Sequence, residues 1–94
     1  MENVKRFSEM LQEKVDRYYH QNYPSLPPDK VKIVPGKKYI KIDVGSSGRY
    51  MFDTENGHLY GIKGYGVINR KHDYGYLPAI IQKGFVYEGY SIRV

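Results

Sequence analysis

The stretch from Lys37 to Tyr76 constrains this chain most, because strand-type alternation there is cut at short intervals by glycine turns. Between Lys37 and Val44, Ile40, Ile42 and Val44 fall on one side of an extended backbone. Tyr39, Lys41 and Asp43 fall on the other. Gly45-Ser46-Ser47-Gly48 reads as a flexible turn and Arg49 to Asp53 as the returning strand. Asn56-Gly57 is a strong hairpin signal, since both residues tolerate positive φ. His58 to Lys63 is the next strand, which gives three antiparallel strands in close succession.

The rest of the chain reads as support for that meander. Val4, Phe7, Leu11, Val15 and Tyr18 recur at helical intervals and make one apolar stripe. A helix is expected over about residues 3–21, within residues 1–22, with Asn3 as its N-cap. One amphipathic helix cannot bury its stripe alone, so it should lie on a sheet. Residues 23–30 are a proline-rich linker in which Pro27-Pro28 favours a stiff polyproline-II connector. Residues 31–94 are the β-rich core, opening with a short strand at Val31 to Val34. After Gly64-Tyr65-Gly66 the pattern gives a short strand at Val67 to Asn69 and a polar loop from Arg70 to Gly75. A helical turn is expected at Leu77 to Gln82, and a last strand at Phe85 to Val94, interrupted by Gly89. The expected fold class is α+β: an N-terminal amphipathic helix packed on a curved antiparallel β-sheet of four to six strands. At 94 residues this is one domain, residues 1–94, with a modest core that oligomerisation would extend.

There is no cysteine, which removes disulfides and thiolate zinc sites. No apolar run approaches the ~20 residues of a membrane span, so a soluble, intracellular protein without a membrane partner is expected. The formal charge is +5, and its distribution is uneven. Lys30, Lys32, Lys37, Lys38, Lys41 and Arg49 face Asp43 alone within residues 30–50. A basic β region attracts anions, among them nucleic acid, nucleotides and acidic protein surfaces.

The glycines of Gly61-Ile62-Lys63-Gly64-Tyr65-Gly66 lack the Gly-Lys-Ser/Thr of a phosphate loop and the βαβ setting of a dinucleotide fold. His20, His58 and His72 have no helical i,i+4 metal spacing. No serine or cysteine nucleophile stands in a recognisable context. No enzyme activity, no metal and no cofactor is therefore expected. Eleven tyrosines and no tryptophan are the compositional oddity. Tyrosines interleaved with Lys41, Arg49, Lys63 and Arg70 suit a base on the ring and a phosphate on the cation.

The string Lys38-Tyr39-Ile40-Lys41-Ile42, Arg49-Tyr50-Met51-Phe52-Asp53, Asn56-Gly57-His58-Leu59-Tyr60-Gly61-Ile62-Lys63 and Tyr65-Gly66-Val67 resembles small bacteriophage-encoded proteins. Its layout is similar to that of phage anti-Thoeris nucleotide sponges over about residues 37–77. The resemblance implies a homo-oligomer in the host cytoplasm that sequesters a cyclic nucleotide or a cyclic ADP-ribose-like signal. In that reading Arg49, Lys63, Asn69, Arg70 and Lys71 contact phosphate or sugar. Tyr65 and Tyr74 stack on a base, and His72 adds a pH-dependent hydrogen bond. Two alternatives stand beside it: a small basic nucleic-acid-binding module, and a protein–protein inhibitor of a host factor.

Overall fold

In a computed structural model, residues 1–89 and 91–94 are described, in the order α1 (Glu2–Asn22), β1 (Val31–Val34), β2 (Tyr39–Val44), β3 (Ser47–Asp53), β4 (His58–Gly64), β5 (Val67–Tyr76), α2 (Leu77–Lys83), β6 (Val86–Tyr87) and β7 (Ile92–Arg93). Strands β1 to β5 form one antiparallel sheet in sequence order, and β6–β7 form a separate two-stranded ribbon. This is the expected α+β architecture.

The apolar stripe of α1 determines where the helix sits. Val4, Phe7, Leu11 and Val15 are fully buried against Ile40, Ile42, Val44, Tyr50 and Leu59 on the inner face of the sheet. Leu77 and Ile80 of α2, with Phe85 and Ile92, close the same cluster. Phe7 meets the Tyr50 ring edge-on at 6.0 Å and lies 4.9 Å from Phe85. Burying side chains of this size supplies about 1.5–3 kcal/mol each.

Polar contacts fix how β1 meets the helix. Gln12 of α1 accepts from the Val31 amide at 2.7 Å and donates to the Asp29 carbonyl at 2.9 Å. The Tyr19 hydroxyl donates to the Asp29 carboxylate at 2.8 Å. A hydrogen bond to that carboxylate stabilises the protonated phenol and raises the Tyr19 pKa.

Two expectations need correcting. The helix starts one residue before Asn3, with the Lys5 amide already bonded to the Met1 carbonyl, so Asn3 is inside the first turn and no side chain caps it. The linker opens with a turn ahead of Pro27-Pro28. The Leu26 amide donates to the Tyr23 carbonyl at 3.0 Å, closing a turn in which Pro24 supplies the preset φ. Arg70 to Gly75 is not a loop but part of β5, whose ladder jumps from Gly61↔Asn69 to Tyr60↔Asp73. Arg70, Lys71 and His72 are extra residues on one strand, and such a bulge destroys the alternation that marks a strand in sequence. The expected last strand is interrupted at Gly89, as read from the sequence, and the φ of 100° there separates β6 from β7. Tyr90, within that expected strand, lies outside the described residues.

Candidate functional site: the outer face of the sheet

Strand parity sends Tyr39, Lys41 and Asp43 of β2 to the face away from α1. The register then builds the rest of that face. Tyr39 pairs with Asp53, Lys41 with Met51, Met51 with Tyr60, and Tyr60 with Asp73. Lys32 of β1 stands opposite Asp43. The outer face therefore carries tyrosines, cations and carboxylates where the inner one carries aliphatics.

Two clasps organise it. In the first, the β5 bulge directs Arg70 back across the sheet. One guanidinium nitrogen donates to Asp53 at 2.9 Å and to the Tyr39 hydroxyl at 2.7 Å. The guanidinium carbon lies 5.0 Å from the Tyr60 ring centre and 5.6 Å from that of Tyr39. Asp53 is only 3% exposed. Burial alone would raise its carboxyl pKa, but the Glu55 amide and Arg70 outweigh it and hold the group below its ordinary value. The hydrogen bonds to Asp53 and Tyr39 push Arg70 further above its own.

In the second clasp the β4–β5 turn folds Tyr65 over β2. Its hydroxyl donates to Asp43 at 3.2 Å, and the Lys41 ammonium lies 4.9 Å from its ring centre. The Asp43 charge raises the Tyr65 pKa, with burial and the hydrogen bond adding to it. Glycine at position 48 makes room for this ring, since a Cβ there would stand 2.7 Å from Tyr65 Cδ1. Asp43 is 8% exposed, and its Oδ1 has no hydrogen-bond partner among the described residues.

The eight residues singled out by sequence do not come together in one site. Tyr65 and Arg70 are on the outer face, each in its own clasp. His72 points to the inner side, over Gly61, and lies 4.3 Å from the Tyr74 ring. Tyr74 packs against the inner cluster and shares a hydrogen bond with Ser91 at 3.0 Å. Arg49 lies near Tyr50 and Tyr87, whose pKa values its charge pulls down against the larger upward effect of burial. Lys63 and Lys71 are exposed, and the Asn69 side chain accepts from the Lys71 amide at 3.2 Å. Sequence reasoning put Tyr39, Lys41 and Asp43 on one side of β2 but did not join them to Asp53 and Tyr60 as one surface. Parity in β2 was the signal, once hairpin pairing is used to carry it from strand to strand.

Among the described residues, no group of three or more His, Cys, Asp or Glu side chains is placed to hold a metal ion. No helix there is long and apolar enough to cross a membrane. No family model, no curated protein and no solved structure matches this chain.

Proposed function

We propose that the protein is a non-catalytic binder of nucleotide-type anions, and that the outer face of the sheet is its binding surface. One observation carries the reading: the layering of charge on that face. Its two central carboxylates, Asp43 and Asp53, are buried and held by Tyr65 and Arg70. The cations lie above them: Lys41 over Tyr65, Lys38 at 5.5 Å from the Tyr39 ring centre, and Arg70 between Tyr39 and Tyr60. A ligand approaching this face meets ammonium groups beside tyrosine rings, the pairing that takes phosphates and bases together. Tyr65 and Tyr76 are the exposed rings, at 60% and 54%.

The shape of the face favours an extended ligand. The cations and rings that meet one another, Lys38 and Arg70 with Tyr39, Lys41 with Tyr65, and Arg70 with Tyr60, are spread across several strands. A strand of nucleotides fits that layout within one copy of the chain. Sequestration of a single cyclic nucleotide or cyclic ADP-ribose-like signal, the function implied by the likeness to phage sponges, needs a second copy to close over the face.

Fluorescence anisotropy with a labelled single-stranded oligonucleotide tests the reading. Binding should weaken as salt rises, because each neutralised phosphate releases condensed counterions. Calorimetry with cyclic nucleotides separates the two forms: heat without oligonucleotide binding supports sequestration. No response in either assay removes the face as a nucleotide site.

A further inference from the structure

We infer that His58 is a fixed hydrogen-bond acceptor for a ligand hydroxyl, so that the outer face selects ribose over deoxyribose. The inference rests on the nucleotide-binding reading of that face.

His58 opens β4, and its Nδ1 lies 3.0 Å from both carboxylate oxygens of Asp73. The register of β4 and β5 brings the two together, with Tyr60 opposite Asp73 and Tyr76 opposite His58. Each partner is itself anchored. The Asp73 carboxylate accepts from the Gly75 amide at 2.8 Å, and the His58 amide donates to the Asn56 side chain at 2.9 Å. A carboxylate accepts and does not donate, so Nδ1 carries a proton, and in the neutral tautomer this selects, Nε2 is the acceptor. Among the described residues Nε2 has no hydrogen-bond partner, and the side chain is 35% exposed.

Its surroundings explain what it would accept from. The groups facing the imidazole are Asp73, the Tyr60 ring at 6.2 Å in a stacked arrangement, and the exposed Tyr76 ring at 6.2 Å. Arg70 lies against the same Tyr60 ring. Apart from Asp73, whose side chain is 40% exposed and turned to His58 and the Gly75 amide, the exposed charge on this surface is cationic, which suits phosphate. A neutral, half-exposed acceptor beside the exposed Tyr76 ring adds a means to tell sugars apart, because the ribose 2′-hydroxyl is a donor that deoxyribose lacks. The same hydroxyl is present in an RNA strand and in a free ribonucleotide.

The test measures the intact protein against a labelled ribo-oligomer, the matching deoxy-oligomer and the 2′-O-methyl ribo-oligomer, with adenosine and deoxyadenosine monophosphates as the free-nucleotide arm. One neutral hydrogen bond predicts roughly three- to tenfold tighter binding of the ribo form, with the 2′-O-methyl form behaving as the deoxy one. His58→Phe keeps a ring on Tyr60 and removes the acceptor. It should bring the ratio to one, and circular dichroism checks that the fold is intact. Asp73→Asn, which frees the tautomer, should reduce the ratio in part. Discrimination in the oligomer arm alone identifies a strand as the source, and discrimination in the mononucleotide arm identifies a free nucleotide. Equal ribo and deoxy affinities in the wild type, or a ratio that survives His58→Phe, overturns the inference and leaves the binding face standing. Absence of binding in every arm removes both.

Discussion

Under α1, the sheet buries Ile40, Ile42, Val44 and Leu59 against Val4, Phe7, Leu11 and Val15. Across the same strands, on the outer side, Met51, Tyr60, Asp43 and Asp53 are just as withdrawn from water, yet no helix covers them. Their cover is a layer of long side chains: Tyr39, Lys41, Tyr65 and Arg70. The difference shows two ways to bury a sheet face. Aliphatic packing on a helix is non-directional and contributes most of the stability. A lid of tyrosines and cations contributes less, because its charged ends stay in water. It also leaves those ends available to a ligand.

Truncation of the inner core should show the largest effect. Phe7→Ala removes a fully buried ring that touches Tyr50 and Phe85, and should cost about 3–5 kcal/mol. In a domain whose whole stability is of order 5–15 kcal/mol, that leaves the fold marginal. Chemical denaturation measures it. A loss no greater than that from Arg70→Met would show that the helix-covered face is not the principal source of stability.

That inner face was the legible part. Helical spacing in α1 and period-two alternation in β2 each mark a buried side directly, and Asn56-Gly57 marks the hairpin between β3 and β4. Gly57 takes a φ of 75° there, as the turn requires. The outer face was half legible. Parity placed Tyr39, Lys41 and Asp43 together, but the β5 bulge is a matter of register between two strands, and a single sequence carries no such information. Arg70 and His72 are two residues apart and look like neighbours in one loop. The bulge sends one to Asp53 and the other over Gly61.

The Arg70 clasp comes next in size. Arg70→Met keeps the stem over Tyr39 and Tyr60 but leaves the Asp53 carboxylate without its cation. At neutral pH the melting temperature should fall by several degrees, less than in Phe7→Ala. The sign with pH follows from Asp53. Its folded pKa lies below the ordinary 3.8, so its stabilisation is fully present above that value and is lost as pH falls through the folded one. The gap between wild type and Arg70→Met should therefore narrow as the solution is acidified. A constant gap would mean that the carboxylate's charge is not what Arg70 holds in place.

The Tyr65 clasp separates binding from stability more cleanly. Tyr65→Ala should lower the melting temperature less than Arg70→Met does, since the ring is largely exposed and water can reach Asp43 in its place. It should cost about 1–3 kcal/mol in oligonucleotide affinity if a base stacks there. Lys41→Ala should lower the slope of log affinity against log salt by about 0.7, the contribution of one phosphate on a single strand. Loss of stability without loss of affinity would make this clasp a structural feature only.

The smallest effects come from placing one methyl group on either face. A Cβ at Gly61 would stand 2.6 Å from His72 Nδ1 on the inner side, and one at Gly48 would stand 2.7 Å from Tyr65 Cδ1 on the outer. Neither glycine has a positive φ, so Gly61→Ala and Gly48→Ala differ in which side chain must move. His72 is exposed and can swing aside, and it takes no part in the outer layer, so Gly61→Ala should leave oligonucleotide affinity unchanged. Gly48→Ala displaces Tyr65 from Asp43 and also crowds Ile62, whose Cδ1 would lie 3.1 Å away. Its affinity should fall toward that of Tyr65→Ala while its melting temperature shifts little. If Gly61→Ala weakens binding as much as Gly48→Ala does, the ligand contacts the side of the sheet where His72 and Tyr74 lie. The grouping of those two residues with Lys71 in one site, as the sequence first suggested, would then replace the outer face.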